Sequence, residues 1–592
     1  MILFKNKFFG FIKRAKQALS FVNVFKKDKF NQTELDKKLI YSLSPHKIPN
    51  RGQIKYIKKF LNPRENLIIK ICLLLILINA VYLINVFIQK RIELSPLAGG
   101  DYVEAVVGYP RTINPLYAFN RDVDSDLSRL IYSSLFVYNT DAKLISDLAE
   151  NYKIENSGKE YYITIKSGVK WHNGDPLTVD DIIFTFNLIK NVDYRSPLRS
   201  SLAGIEIEKI DDINLKFTLS ESYAPFLELL TFGILPKNIW ENVGPTSIAL
   251  SDFNLKPIGS GPYKFKSLLK NKNGDLKEYK LTVNNDYYSG APYLKNIIFK
   301  FFVNYSEAIK SFNGNKIDGL SYLPFNERKE VLAQNSVLMH ELVLPKIVSV
   351  FFNQEKNKSL EDKNVRIALA QALDKAQIIN DVFSGVYQKA DGPILENNFA
   401  YNQEIKKYNF SPGEAVEVLK NKPVELSLTV IDSGLNLVVA EQIKSYWEKA
   451  GAKVNIKVIS SDQALTVIRN RDFEALIYGE SVGGDPDVFA FWHSSQTGSK
   501  GLNLSNYNNS EVDKLLVDAR SSVDLAERIE KYQKFQEIIT NDVPTIFLYV
   551  PTYTYVQSKK VRGFNGTALI ESADRFTDVS QWYIKTKKKI IW

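Results

Sequence analysis

Among the 592 residues, the side chains able to make and break bonds are few and poorly spaced for it. Four histidines, His46, His172, His340 and His493, lie far apart, and none forms an HExxH string or pairs with a cysteine, so the spacing of a zinc site is missing. The single cysteine, Cys72, sits in an apolar run, where a thiol packs rather than reacts. Two Ser-x-x-Lys strings, Ser44 to Lys47 and Ser167 to Lys170, have the nucleophile and base spacing of serine transpeptidases, but no Ser-Asp-Asn or Lys-Thr-Gly follows either. The glycine-rich stretch Ile258 to Phe265 lacks the Gly-Lys-Ser/Thr of a phosphate-binding loop and is not the Gly-x-Ser-x-Gly elbow of hydrolases. These patterns predict no catalytic residues, no metal and no cofactor.

The elements that would position any site show best between Tyr161 and Phe186. Tyr161, Ile163 and Ile165 alternate with Tyr162, Thr164 and Lys166, the period of a strand with one face on a core. Gly168 ends it, and Asn173-Gly174-Asp175-Pro176 gathers four turn-formers. Thr178 and Asp181 then have the spacing of a capping box ahead of Ile182, Ile183, Phe184 and Phe186, so a helix is predicted there.

The spelling of this stretch adds to its spacing. Lys166 to Asn187, KSGVKWHNGDPLTVDDIIFTFN, resembles the signature segment of the family 5 extracellular solute-binding proteins, which deliver oligopeptides, dipeptides, nickel chelates and some sugars to ABC transporters. Further segments resemble the family in the same order: Ile113 to Leu116, Ile258 to Phe265, Asn364 to Gly385 and Arg471 to Trp492. The resemblance implies a mixed α/β chain with the type II periplasmic-binding-protein fold: two hinged lobes, with a further lobe inserted into the first, closing around a solute. It implies a receptor, not an enzyme.

The formal net charge of +11 is local. The first 93 residues hold 19 Lys and Arg against 5 Asp and Glu, which leaves the rest at −3 and argues against nucleic-acid binding. Asn66 to Ile88 is almost wholly apolar and long enough for the roughly 30 Å hydrocarbon core, with the basic excess before it. This predicts a lipid-embedded signal-anchor with a cytoplasmic N-terminus and the large C-terminal part outside. A cleaved signal peptide would have a shorter apolar region and a shorter leader. Phe8, Phe9, Phe11 and Ile12 among lysines fit either a segment lying on the inner leaflet or a solvated tail.

The expected organisation is a basic leader (1–65), the membrane helix (66–88), a linker (89–100), lobe I (101–141), the inserted lobe II (142–254), lobe I again (255–351), lobe III (352–542) and a return to lobe I (543–592). Helices are predicted from Asp126 to Tyr138 and from Glu441 to Gly451, the latter followed by a strand through Val454, Ile456 and Val458. A monomer serving ABC permease and ATPase subunits is expected; a serine transpeptidase-like enzyme and a sensory ectodomain are the competing readings.

Where positions match, the resemblance implies ligand contacts at Phe119, Asn120 and Arg121 on one wall and at Glu480, Ser481, Val482 and Gly483 on the other. Trp492 and Tyr549 are candidate aromatic lining, with packing in the core the favoured alternative for both. In peptide-binding relatives an aspartate three positions before the Asp/Glu of the "DP/EP" loop pairs with the peptide's amino terminus; counted back from Asp485, that position is Val482. Either Glu480 reaches in to replace it, or the ligand is not a free-amine peptide.

Overall fold

The computed structural model describes residue 55 and residues 61–331 and 336–590. It divides into a unit ending at Leu94, joined by residues 588–592, and a unit from Ser95 to Lys587. Of the leader, residues 1–54 and 56–60, with Phe8, Phe9, Phe11, Ile12, Ser44 and His46, lie outside the described residues.

The first unit is dominated by one helix, Pro63–Lys90, of 28 residues. Proline at its first position needs no amide partner, and Glu65 and Lys90 match the ends of the helix dipole. Its apolar window is wholly exposed, unlike that of a core helix, and is long and apolar enough to cross a membrane. Asn79, the polar interruption, donates its side-chain amide to the Leu75 carbonyl at 2.9 Å, so the helix itself satisfies that group.

The second unit holds three larger sheets. The first has seven strands in the order Val337–Val343, Thr552–Ser558, Gly319–Leu320, Asp101–Val107, Asn296–Phe302, Leu276–Val283 and Tyr263–Lys270. A four-stranded antiparallel sheet orders Ala149–Glu155, Glu160–Ile165, Asn214–Leu219 and Ile205–Lys209. Tyr161, Ile163 and Ile165 are buried, with Phe217 opposite Tyr161 and Leu215 opposite Ile163, the alternation expected from sequence. Helix Val179–Lys190 starts at the Thr178/Asp181 capping box.

The turn at 258–262 is where the chain returns from the four-stranded sheet to the seven-stranded one, and its glycines have a steric cause. A Cβ on Gly259 would stand 2.0 Å from the Ile131 carbonyl oxygen, and the Gly261 amide donates to that oxygen at 2.8 Å. Only glycine allows this approach. His172 fastens the turn to the signature segment: its Nδ1 accepts from the Gly259 amide at 3.2 Å and its Nε2 faces the Gly261 carbonyl at 3.1 Å. Burial pushes its pKa down to about 4, so the imidazole is a neutral structural tie.

The third sheet has six strands, Gln388–Lys389, Thr545–Val550, Lys346–Phe352, Ala475–Ser481, Glu425–Ile431 and Lys453–Ile459. The last two are parallel, joined through helix Asn436–Lys449. Side chains fill both faces: Val350, Ile477 and Trp447 lie in one core, Phe351, Leu476 and Trp492 in the other. The chain crosses between the first and third sheets at Leu344-Pro345 and again at Pro551, so Lys346–Phe352 and Thr545–Val550 belong to the six-stranded sheet instead of to lobe I. The Leu344 amide donates to the Pro551 carbonyl at 3.2 Å. Two prolines without amide hydrogens interrupt the ladders at these adjacent crossings.

Two expected helices are displaced. The one expected from Asp126 to Tyr138 spans Asp122–Ile131, and Phe136–Tyr138 is a strand; the one expected from Glu441 to Gly451 spans Asn436–Lys449. Asp126 reads as a polar flank, yet it is 1% exposed because Arg575 takes its carboxylate at 2.6 and 2.5 Å.

Candidate ligand-binding cleft

A cavity of about 360 Å³ lies against the first of these crossings, with Val343, Leu344 and Pro345 in its wall. Tyr138, Lys143 and the Ala568–Ile570 segment border it from the seven-stranded side, and Asn398, Phe399 and the Gly483–Asp485 loop from the six-stranded side. Glu228 enters from the short helix Ala224–Leu230, whose Pro225, Phe226 and Leu230 are buried. The volume is within the range of small-solute sites.

The Gly483–Asp485 loop is held from behind. Arg528 donates to both oxygens of Asp485 at 2.6 and 2.7 Å, and Asn398 donates to the Gly484 carbonyl at 3.0 Å. Burial raises the Asp485 carboxyl, and Arg528 opposes that shift. A Cβ on Gly484 would stand 2.7 Å from the Tyr138 ring and 3.0 Å from Glu228 Oε1. The missing side chain therefore lets three parts of the fold meet at one corner.

Of the residues expected from sequence, only Gly483 borders this cavity. Phe119 is partly buried against the core and borders a separate void of about 30 Å³ beside Arg129 and Glu571. Arg121 is exposed at the N-cap of helix Asp122–Ile131, and the side chain of Asn120 lies outside the described residues. Ser481 is exposed at the end of its strand; Val482 packs against the core, and its amide donates to the Pro345 carbonyl at 2.7 Å.

The two aromatic candidates lie among core side chains. Trp492 is 1% exposed, packed against Phe535 and Phe547, and Tyr549 is 3% exposed among Phe383 and Tyr387. Large rings on core-facing positions gain more from burial than from a wet wall.

Glu480 shares the face of Ala475–Ser481 that carries Leu476 and Val482, opposite Ile347. It does not border the cavity. It is 6% exposed, its Oε1 has no hydrogen-bond partner among the described residues, and burial pushes its carboxyl well above the ordinary range. Burial inside the sheet packing thus favours its protonated form.

Tyr138, Asn398 and Glu228 were not found by sequence reasoning. In SYAPFLELL the glutamate reads as the polar gap of an apolar run, and its one signal was its charge. Ser167 is an exposed turn residue, and no group of three potential metal ligands occurs among the described residues.

Residues 143–501, more than half of the chain, match the family described as "Bacterial extracellular solute-binding proteins, family 5 Middle". The chain belongs to this family. It is a non-enzymatic, extracytoplasmic solute-binding protein. Oligopeptide-binding protein AppA of Bacillus subtilis is 31% identical over 506 residues, covering 80% of this chain and 90% of that protein. The probable D,D-dipeptide-binding periplasmic protein DdpA of Escherichia coli is 26% identical, covering 80% and 92%. Among solved structures, the ABC transporter substrate binding protein CtaP of Listeria monocytogenes superposes with a TM-score of 0.73 at 26% identity, covering 82% of this chain and 99% of that one. AppA of B. subtilis in complex with a nonapeptide gives 0.65 at 28%, covering 83% and 100%. The family 5 fold thus extends well beyond the matched segment, over nearly all of the second unit.

Proposed function

We propose that this family 5 protein is a peptide receptor, tethered to the outer face of the membrane by an uncleaved helix, that hands its ligand to the permease of an ABC transporter. The observation that carries the reading is the cavity at the double hinge crossing, bordered by loops from both main sheets, in a chain 31% identical to an oligopeptide-binding protein. Two crossings close together leave the lobes one axis about which to close on a solute. The near-neutral charge beyond residue 93 suits a freely exposed monomer. The length and full exposure of Pro63–Lys90, with the basic excess on its N-terminal side, support retention of the helix and a cytoplasmic N-terminus.

The test is native mass spectrometry of the full chain extracted in mild detergent. Peptides released on denaturation, an intact N-terminus, and co-purified permease and ATPase subunits are the expected result. A non-peptide solute in the cleft would overturn the ligand class; a mature chain beginning near Ala98 would overturn the anchor. Capture of a cytoplasmic signalling protein in place of transporter subunits would favour a sensory ectodomain.

A further inference from the structure

The charges around the cleft are unevenly partnered. Asp485 is neutralised by Arg528, whose Nη2 donates to both of its oxygens, and Asp487 meets Arg520 at 2.9 Å. Asp141 is exposed at the rim and accepts from the Thr567 hydroxyl at 2.8 Å. Lys143, the cation of the lining, is exposed at the same rim. Glu228 is different. It is half-buried, and no Lys, Arg or His comes within ion-pair distance of it among the described residues.

Position makes this imbalance informative. The carboxylate oxygens of Glu228 lie 3.0 and 4.0 Å from where Cβ atoms on Gly484 and Gly483 would stand, so the loop facing them offers backbone and no side chain. Tyr138 closes the other side with a ring only 6% exposed. A carboxylate has about four acceptor sites, more than Tyr138 and the neighbouring amides can fill. Burial and the nearby Asp485 charge push its pKa up to about 7, against smaller opposing pulls from the Tyr138 hydroxyl, the Asp485 amide and Arg528. Holding such a group ionised without a cation is costly, and a cation arriving with the ligand would remove that cost.

We propose that Glu228 makes the cleft selective for solutes bearing a positive charge, accepting the ammonium group of a peptide ligand at the Gly483–Gly484 corner. This rests on the peptide reading of the same cleft. It assigns the charge selection to a residue of the inserted lobe, whereas the loop that carries an aspartate in peptide-binding relatives has Val482 here.

The experiment titrates the detergent-extracted full chain by calorimetry with a nonapeptide library lacking Lys, Arg and His, and with its N-acetylated counterpart. Wild type, Glu228→Gln, Glu228→Asp and Glu480→Gln are compared, each with a measured melting temperature. The expected result is that wild type prefers the free-amine library by about 10- to 100-fold. Glu228→Gln loses that preference, Glu228→Asp retains most of it, and Glu480→Gln behaves as wild type. Equal binding of both libraries to wild type overturns the proposal, as does a preference that survives Glu228→Gln or disappears in Glu480→Gln. If neither library binds the wild type, the peptide reading itself falls, and the Glu228 assignment with it. Should Glu228→Gln melt early, the charge-retaining Glu228→Asp decides: loss of preference in that variant while it is still folded counts against the proposal.

Discussion

Glu104 and Glu480 are both buried on sheet strands, and they are treated in opposite ways. Glu104, on Asp101–Val107, receives Tyr102 and Tyr555 hydroxyls and the Arg575 guanidinium, which also grips Asp126. Glu480, on Ala475–Ser481, has no such partner among the described residues, and its Oε1 is buried without any hydrogen bond there. Burial pushes Glu104 up to about 7 and Asp126 to about 6 even beside Arg575, because two acids share one cation in a dry site. The comparison separates two uses of a buried acid. Around Arg575 it joins the C-terminal segment to the first strand and first helix of the seven-stranded sheet; in the six-stranded sheet burial acts unopposed and favours the neutral form. Glu228 belongs to neither class, since it has a cavity in front of it.

The comparison breaks most visibly at Arg575. Arg575→Met would leave Glu104 and Asp126 buried together without a cation, and a loss of about 3 to 5 kcal/mol in urea unfolding is expected. A change under about 1 kcal/mol would show that the network adds little stability.

Gly484→Ala comes next. The new methyl would press on the Tyr138 ring and Glu228, so overpacking of roughly 1 to 3 kcal/mol should fall on the closed cleft. Weaker peptide affinity with an unchanged melting temperature is expected; unaltered affinity would mean that the corner does not have to close. Thr178→Ala removes the capping-box hydroxyl of Val179–Lys190 and should cost about 1 kcal/mol, read as a lower melting temperature without loss of binding.

The smallest effect is a pH slope at Glu480. Its folded pKa lies above its unfolded one, so the folded state holds the proton more tightly. The resulting stability is fully present below the ordinary carboxylate range and is lost as pH rises through the raised value. Glu480→Gln has no proton to lose. It should melt like wild type near pH 4.5 and higher than wild type at pH 8.5; parallel melting curves across that range would mean that Glu480 finds a partner when ionised.

Local patterning made much of the scaffold legible. The alternation at Tyr161, Ile163 and Ile165, the Thr178/Asp181 cap and the long apolar helix all follow from neighbours in sequence. Gly259 and Gly261 could be read as a turn, but their steric reason, the Ile131 carbonyl, lies far off in the chain. The cleft was harder to read for the same reason. Glu228, Tyr138 and Gly484 come from three distant segments, and no spacing rule links them. Trp492 and Tyr549 were attractive as aromatic lining, yet both sit on core-facing positions of the six-stranded sheet packing. Asp126 looked like the flank of a helix because its partner, Arg575, lies 449 residues on.

The most direct test of the account is small-angle scattering of the full chain in contrast-matched detergent, with and without the free-amine nonapeptide library. The lobes should close about the crossings at Pro345 and Pro551, so the protein's radius of gyration should fall on addition of peptide and stay unchanged with the acetylated library. Calorimetrically confirmed binding with no change in radius would contradict a receptor that closes on its ligand.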